Sequence, residues 1–292
     1  MKKLLSLVIA ATLSLSLVAC GNSQNANNNS ESTSESSSES SEENNSQADN
    51  NGAVAKIKEK GELVMATSPD YPPYEFKIME NGKEKIVGFD INIAEEIAKD
   101  MGVNLRVLEL DFNGLLVSLN ADKADMVMAG MTPDEERIKA VDFSEIYYLA
   151  EQGIMVSAKN KDSLNTLESL AGKKIGVQKG SVQEKIALEQ LPNSKVVSLV
   201  KLPNIILELK SGNIDAAIVE LPVAEGYVKQ YQELVISDAK VIDETGGSAI
   251  AIKKGNQDLV DQINSTIKRL QDEGLIDKYV IEANEIVNNM VE

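Results

Sequence analysis

From residue 62 onward, short apolar runs alternate with segments whose apolar residues recur at helical spacing. ELVMAT (62–67) reads as a strand. FDINIAEEIAKDM (89–101) repeats its apolar side chains every three or four residues, which marks one face of a helix, and Gly102 stops it. NLRVLEL predicts a strand, FNGLLVSLNA a helix and ADMVMAG another strand. Thr132, Pro133 and Glu135 then predict a helix start: Thr132 as N-cap, Pro133 at the first position, Glu135 three residues after the cap. The rhythm restarts with a strand at KKIGVQ (173–178). A helix opens after Gly180-Ser181, with Ser181 and Glu184 at capping-box spacing. SKVVSLV and DAAIVE predict strands. PNIILELKSG and PVAEGYVKQY predict helices, GSAIAIKKG (247–255) a return strand, and NQDLVDQINSTIKRLQDEGLIDKYV a long amphipathic helical region.

This βαβα rhythm implies α/β architecture, a mostly parallel sheet covered by helices. Two βα units of similar size followed by a tail suit two lobes. The first is expected over 53–150 and 244–292 and the second over 151–243, joined by two crossing strands as a hinge. One large doubly wound domain also fits the length.

The start of the chain is different in kind. Lys2 and Lys3 precede the apolar LLSLVIAATLSLSLV, too short and wrongly flanked for a stable membrane span. Residues 1–20 therefore read as a signal peptide ending in LVAC. That quartet resembles a bacterial lipobox, in which Cys20 is lipidated and becomes the mature N-terminus. Cys20 is the single cysteine, which leaves no internal disulfide and no cysteine-based metal site. Residues 21–52 are Ser, Asn, Glu and Gln with almost no apolar side chain. Such a segment cannot bury enough surface to offset its ordering entropy and reads as a disordered tether.

The formal charge is −17, and removing Lys2 and Lys3 makes it two units more negative. No basic stripe with interleaved aromatics is present, which argues against nucleic acid as a partner. Histidine is absent, so the usual general base, the usual zinc ligand and a Ser-His-Asp triad are all excluded.

One arginine is conspicuous. The chain has only Arg106, Arg137 and Arg269, and Arg137 falls in the first turn of the helix expected after Thr132. A cation there is mildly unfavourable. In α/β sheets, however, ligands bind beyond the carboxyl ends of strands, where helices begin. Thr132, free backbone N–H groups and the planar fork of Arg137 together would clamp a carboxylate, which lysine cannot grip through two parallel bonds. Taken alone, a solvent-facing arginine or a pair with Asp134 is the stronger explanation of the residue.

Its surroundings change the balance. GELVMATSPDYPPYEF (61–76), VGFDINIAEEIA (87–98), GMTPDEERIKAVDFSEIYY (130–148), KKIGVQKGSVQEK (173–185), DAAIVELPVAEGYV and INSTIKRLQDEGLIDKY follow in order. As a set they resemble the solute-binding lipoproteins of polar amino-acid ABC transporters, the family 3 extracellular solute-binding proteins, over nearly all of the chain after the tether. The resemblance implies the two-lobed periplasmic-binding-protein fold and a monomer. It implies a receptor, not an enzyme, that captures a free L-amino acid, uses no cofactor or metal, and delivers its ligand to a membrane permease. It also implies a lipid anchor on the extracytoplasmic face of a Gram-positive-type membrane.

By the same resemblance, Arg137 binds the ligand α-carboxylate, helped by Thr132 and by backbone at Ser181 and Val182. Glu220 binds the α-ammonium, where many relatives have Asp, and Gly130 offers a carbonyl to the same group. Tyr71 and Phe112 sandwich the ligand side chain, an arrangement that suits a guanidinium. Ser68 stands where several relatives with cationic ligands place Asp; Asp70 or Asp90 are the substitutes, and Gln178 and Gln183 would line the second-lobe wall. Asn92 replaces an acid usual in the family. The aromatic sandwich and nearby acids favour arginine, with glutamine, lysine and cystine open. Two other classes remain: a same-fold dehydratase of cyclic carboxylic acids using Glu220 as its acid, and a surface adhesin that kept the fold.

Overall fold

The computed structural model describes residues 52–244 and 246–290. The expected signal peptide, Cys20 and all of the tether but Gly52 lie outside the described residues.

The first helix, α1 (Ala53–Lys60), leads into β1 (Glu62–Thr67). Then follow β2 (Asp70–Tyr71), β3 (Glu75–Glu80), β4 (Lys83–Val87), α2 (Phe89–Met101) and β5 (Asn104–Glu109). Next come α3 (Leu115–Asn120), β6 (Met126–Val127), α4 (Arg137–Ala140) and β7 (Val141–Phe143). The chain crosses over into β8 (Gln152–Ser157), β9 (Lys174–Gln178), α5 (Val182–Gln190), β10 (Lys195–Leu199), α6 (Leu202–Lys210), β11 (Ala216–Glu220), α7 (Leu221–Gln230) and β12 (Leu234–Ile236). It returns through β13 (Ala251–Lys253) and ends in α8 (Gln257–Asp272) and α9 (Leu275–Asn289).

Two five-stranded sheets result, ordered β5-β1-β6-β13-β7 and β10-β9-β11-β8-β12. In each, four strands share one direction and one opposes them: β13 is antiparallel to β6 and β7, and β8 to β11 and β12. The opposing strand in each sheet is the one that follows a crossing between lobes. The two crossing segments are extended and joined antiparallel. Tyr147 N donates to Ser248 O and Ser248 N to Tyr148 O, at 3.0 and 2.8 Å. Helices cover the sheets, so central strands are apolar almost throughout: five of the six residues of β1 and all five of β11 are buried.

The helical face of FDINIAEEIAKDM packs inward through Phe89, Ile93, Ile97 and Met101, and Gly102 ends α2 in the left-handed conformation (φ 72°). Its entry is tightly placed. Gly88 has φ 131°, and a Cβ there would lie 2.0 Å from Tyr74 O. That close approach lets Asp90 N donate to Tyr74 O at 3.0 Å, which sets the Asp90 side chain under the cleft.

Three features differ from the sequence reading. Strands β2–β4 form a separate small sheet, turned at Asn81-Gly82, both with positive φ. The long C-terminal helical region is two helices, because Gly274 adopts φ 67° between α8 and α9. The helix expected to start at Thr132 does not: α4 begins at Arg137 and is four residues long.

Candidate functional site

The candidate site is a narrow cavity at the carboxyl ends of strands from both sheets, where an α/β fold leaves helix starts and loops to face a ligand. Its wall comprises Ser68, Asp70, Tyr71 and Glu75 near β1–β3, Phe112 after β5, Ala129, Gly130, Thr132 and Arg137 after β6, and Gln178, Ser181, Val182 and Gln183 after β9.

Arg137 is 8% exposed and its donors are engaged. Nη1 donates to Thr132 O at 2.7 Å, Nη2 reaches across the cleft to Gly180 O at 2.9 Å, and Nε lies 3.6 Å from Asp134 Oδ2. Its guanidinium carbon sits 5.5 Å from the centre of the Phe112 ring. Burial pulls the Arg137 pKa down, and Asp134 opposes that shift. Asp134, not Thr132, acts as the cap, because its Oδ1 accepts from the N–H groups of Glu136 and Arg137, both at 2.9 Å. Thr132 is thereby released: its hydroxyl is buried without a partner in the cavity wall.

On the facing lobe Ser181 caps α5 as its spacing predicts, while the return bond of the box is shifted by one residue, from the N–H of the cap to that of Gly180. Ser181 Oγ accepts from Glu184 N at 3.2 Å and donates to Gln178 O at 2.7 Å, while Glu184 accepts from Gly180 N at 2.7 Å. The start of α5 therefore points its free N–H groups and dipole at the cavity. Gln183 donates to Gln152, which donates to Asp243, both at 3.0 Å, so this wall is tied to the first residue of β8.

The two lobes also meet directly around the cavity. Asp70 accepts from Leu202 N at 3.3 Å, where α6 begins, and Gln178 Nε2 approaches it at 3.5 Å. Glu220 N donates to Tyr71 Oη at 3.2 Å. At the rim, Lys201 and Asp111 pair at 2.8 Å.

Beneath the cleft lies an acid floor. Glu75, Asp90 and Glu220 are 0, 0 and 2% exposed. These acids lean on one another and on two buried tyrosine hydroxyls, Glu75 and Tyr147 against Asp90 and Tyr74 against Glu220, in contacts looser than well-formed hydrogen bonds. Burial pushes Glu220 up to about 8, with the approach of the Tyr74 hydroxyl offsetting part of the shift. Burial raises Asp90 to about 6, and Gly130 N, donating to it at 3.2 Å, acts in the opposite sense. Glu75 is raised well above the carboxylate range by burial and then by the neighbouring Asp90. The acids that act on Arg137 are Asp134, Asp243 and Glu136, so its charge is separated from the floor.

Of the residues singled out in the sequence, Ser68, Tyr71, Phe112, Gly130, Thr132, Arg137, Gln178, Ser181, Val182 and Gln183 line one cavity. Asp90 and Glu220 sit outside that wall, behind it. Asp70, weighed as a substitute acid, is in it, already occupied by lobe two. Sequence reasoning missed Glu75. Its one signal was a charged residue between two aromatics in YEF, at the start of an apolar strand. Among the described residues no group of three or more His, Cys, Asp or Glu side chains is arranged to hold a metal, and no helix is long and apolar enough to cross a membrane.

This geometry can be set beside known proteins. The family description "Bacterial extracellular solute-binding proteins, family 3" matches residues 63–282, three quarters of the chain. The chain belongs to this family. Among its relatives is the arginine-binding extracellular protein ArtP of Bacillus subtilis, 38% identical over 283 residues, spanning 95% of this chain and 96% of that one. A solved family member from Streptococcus pneumoniae, an amino acid ABC transporter substrate-binding protein bound to L-arginine, superposes with TM-score 0.78. It is 36% identical and covers 80% of this chain and 98% of its own. An ancestral amino acid-binding protein described as a precursor of cyclohexadienyl dehydratase superposes at 0.72 with 33% identity, covering 78% of this chain and 98% of its own. Membership in this family of ABC-transporter receptors implies an extracytoplasmic location and confirms the two-lobed fold.

Proposed function

We propose that this solute-binding protein captures a free polar L-amino acid, arginine in preference to glutamine, lysine or cystine, and delivers it to an ABC-transporter permease. The observation that carries the reading is one cleft with a buried guanidinium at one part and a group of buried carboxyls without a cationic partner at another. A zwitterion with a cationic side chain matches that separation of charge.

Arg137 takes the α-carboxylate, exchanging its hold on main-chain carbonyls for a bidentate pair, with Thr132 and the start of α5 at Ser181 and Val182 donating beside it. Glu220 and the carbonyl of Gly130 take the α-ammonium. Tyr71 and Phe112 flank the side chain, with Gln178 and Gln183 on the opposing wall. Lobe one spans 53–150 and 244–292, lobe two 151–243. A ligand that contacts both sets only when they are together stabilises the closed arrangement. The protein acts as a monomer, held to the membrane by lipid on Cys20 and spaced from it by residues 21–52.

The names of the arginine-binding relatives support the ligand. A second reading has one observation in its favour: a Glu220 pKa of about 8 would keep a proton available at neutral pH for a dehydratase. The relatives described as binding proteins, together with the separated cation and acids, support the receptor. A thermal-shift screen against the common amino acids, ornithine, citrulline and cystine tests both, since a ligand bound only by the native state raises the midpoint. A clear shift with arginine is expected. A flat screen, together with ultraviolet change on adding prephenate or arogenate, would transfer the assignment to the enzyme.

A further inference from the structure

A chain of polar side chains runs from the cavity wall to the return crossing. Gln183 Nε2 donates to Gln152 Oε1, and Gln152 Nε2 donates to Asp243 Oδ2, both at 3.0 Å. Gln183 and Gln152 are 7 and 5% exposed. Two buried amides in series are costly unless donor meets acceptor at each joint. The far end of the chain is held in place. Asp243 Oδ1 accepts from Gly246 N at 3.3 Å. The Gln190 amide grips the main chain of Ile242 on both sides, donating to its carbonyl at 2.6 Å and accepting from its N–H at 2.9 Å. Gln183 and Gln190 lie two turns apart on α5, so one face of that helix carries both holds on the return segment. The direction of the chain follows from its anchor. An amide has nearly the same outline either way round, but a carboxylate only accepts. Asp243 therefore requires the nitrogen of Gln152. Gln152 is left with its oxygen for Gln183, and Gln183 must turn its nitrogen inward. Its carbonyl oxygen is the end turned away from the chain, in a side chain that lines the cavity.

We infer that Gln152 and Asp243 are positioning residues that set the polarity of Gln183, presenting its carbonyl oxygen to the ligand side chain, so that this wall selects a group that only donates. A guanidinium has donors and no acceptor, whereas an amide or a ureido group also carries a carbonyl that an oxygen on the wall repels. With the chain broken, Gln183 is free to present either end, and the wall accepts both kinds of ligand. The inference deepens the proposed arginine reading and rests on the place given there to Gln183, opposite the ligand side chain.

Citrulline keeps the outline of arginine and replaces one donor by a carbonyl. Gln152→Met breaks the chain at nearly constant shape and charge. Competitive calorimetry with arginine and citrulline is read in wild type, in Gln152→Met, in Gln183→Ala and in the double variant. Gln152→Met should lose about threefold to tenfold of the preference for arginine, the scale of one hydrogen bond to a charged group with its partner no longer fixed. In the Gln183→Ala background the same substitution should leave the preference unchanged, because residues that act through one another are not additive. A Gln152 that only supports the fold would lower the melting temperature and weaken both ligands alike, with the preference unmoved, and that result overturns the inference. So does an equal loss of preference in both backgrounds, which would mean that Gln152 does not act through Gln183. Wild type binding citrulline as tightly as arginine overturns the inference alone. Wild type binding neither overturns the receptor reading with it. Should Gln152→Met not fold, Asp243→Asn enters the same cycle, since an amide at that position accepts or donates and no longer fixes the direction. The field of the lost charge acts in both Gln183 backgrounds and cancels between them.

Discussion

Arg137 and the acid floor are buried to a similar degree, yet they are left in opposite conditions. The guanidinium has three oxygens around it, two of them main-chain carbonyls, and a phenyl face beneath it. The floor has three carboxyls that have no cation beside them, lean on one another and on tyrosine hydroxyls, and have raised pKa values. Part of the reason lies in how each group can be neutralised. Arginine cannot shed its proton in a protein, so it must be supplied with acceptors. A buried carboxyl can take up a proton and wait. On the proposed reading the cation is a fixed, preorganised clamp, and the acids are a latent charge developed when a cation arrives.

The strongest way to break this contrast is Arg137→Ala. Removing a preorganised buried charge should cost roughly 2–5 kcal/mol of arginine binding. Calorimetry finding near-native affinity would remove Arg137 from the clamp.

The next effect concerns pH. Glu220 rises from an ordinary 4.5 to about 8 in the folded protein, and Asp90 from 3.8 to about 6. Between those limits the folded state holds protons that the unfolded chain has released, so stability falls as pH rises. The melting temperature of the ligand-free protein should decline from about pH 4.5 to 8 over the window set by these values. The added stabilisation from arginine should grow over the same window, because less of the binding energy goes to driving off protons. Glu220→Gln should flatten its share of both trends. A ligand-free melting temperature that climbs through this range would contradict the latent-acid picture.

Smaller changes sharpen the lobe-to-lobe part. Ser181→Ala deletes the cap of α5 and should cost about 1 kcal/mol of stability, a melting shift of about 2–4 °C for a domain this size. Asp111→Ala removes a rim pair whose side chains are 52 and 35% exposed. Solvent screening should hold its effect on affinity below about 1 kcal/mol. A larger loss would make that pair a principal closure contact.

Much of this was legible in the sequence, for identifiable reasons. The α2 face and its glycine stop, and the Ser181 cap of α5, depend on spacing along short stretches of chain and formed as read. Arg137 was found because it was anomalous where it stood. The start of α4 was misplaced because two good caps, Thr132 and Asp134, lie two residues apart, and tertiary packing chose the second. The Asn81-Gly82 turn was a hairpin signal that the reading passed over. Glu75 was illegible for a deeper reason. Its burial and its acid neighbours Asp90 and Glu220 are brought about by tertiary folding, and one acid beside two aromatics does not announce that.

The central claim is that the two ends of an amino acid are held by the two halves of this contrast. Competitive calorimetry with agmatine, which lacks the α-carboxylate, and N-acetylarginine, which lacks the α-ammonium, tests it most directly, read in wild type and in Arg137→Ala. Both analogues should bind wild type far more weakly than arginine, and Arg137→Ala should weaken arginine while leaving agmatine almost unchanged. Agmatine binding wild type as tightly as arginine, or losing as much as arginine does in the variant, would contradict the account.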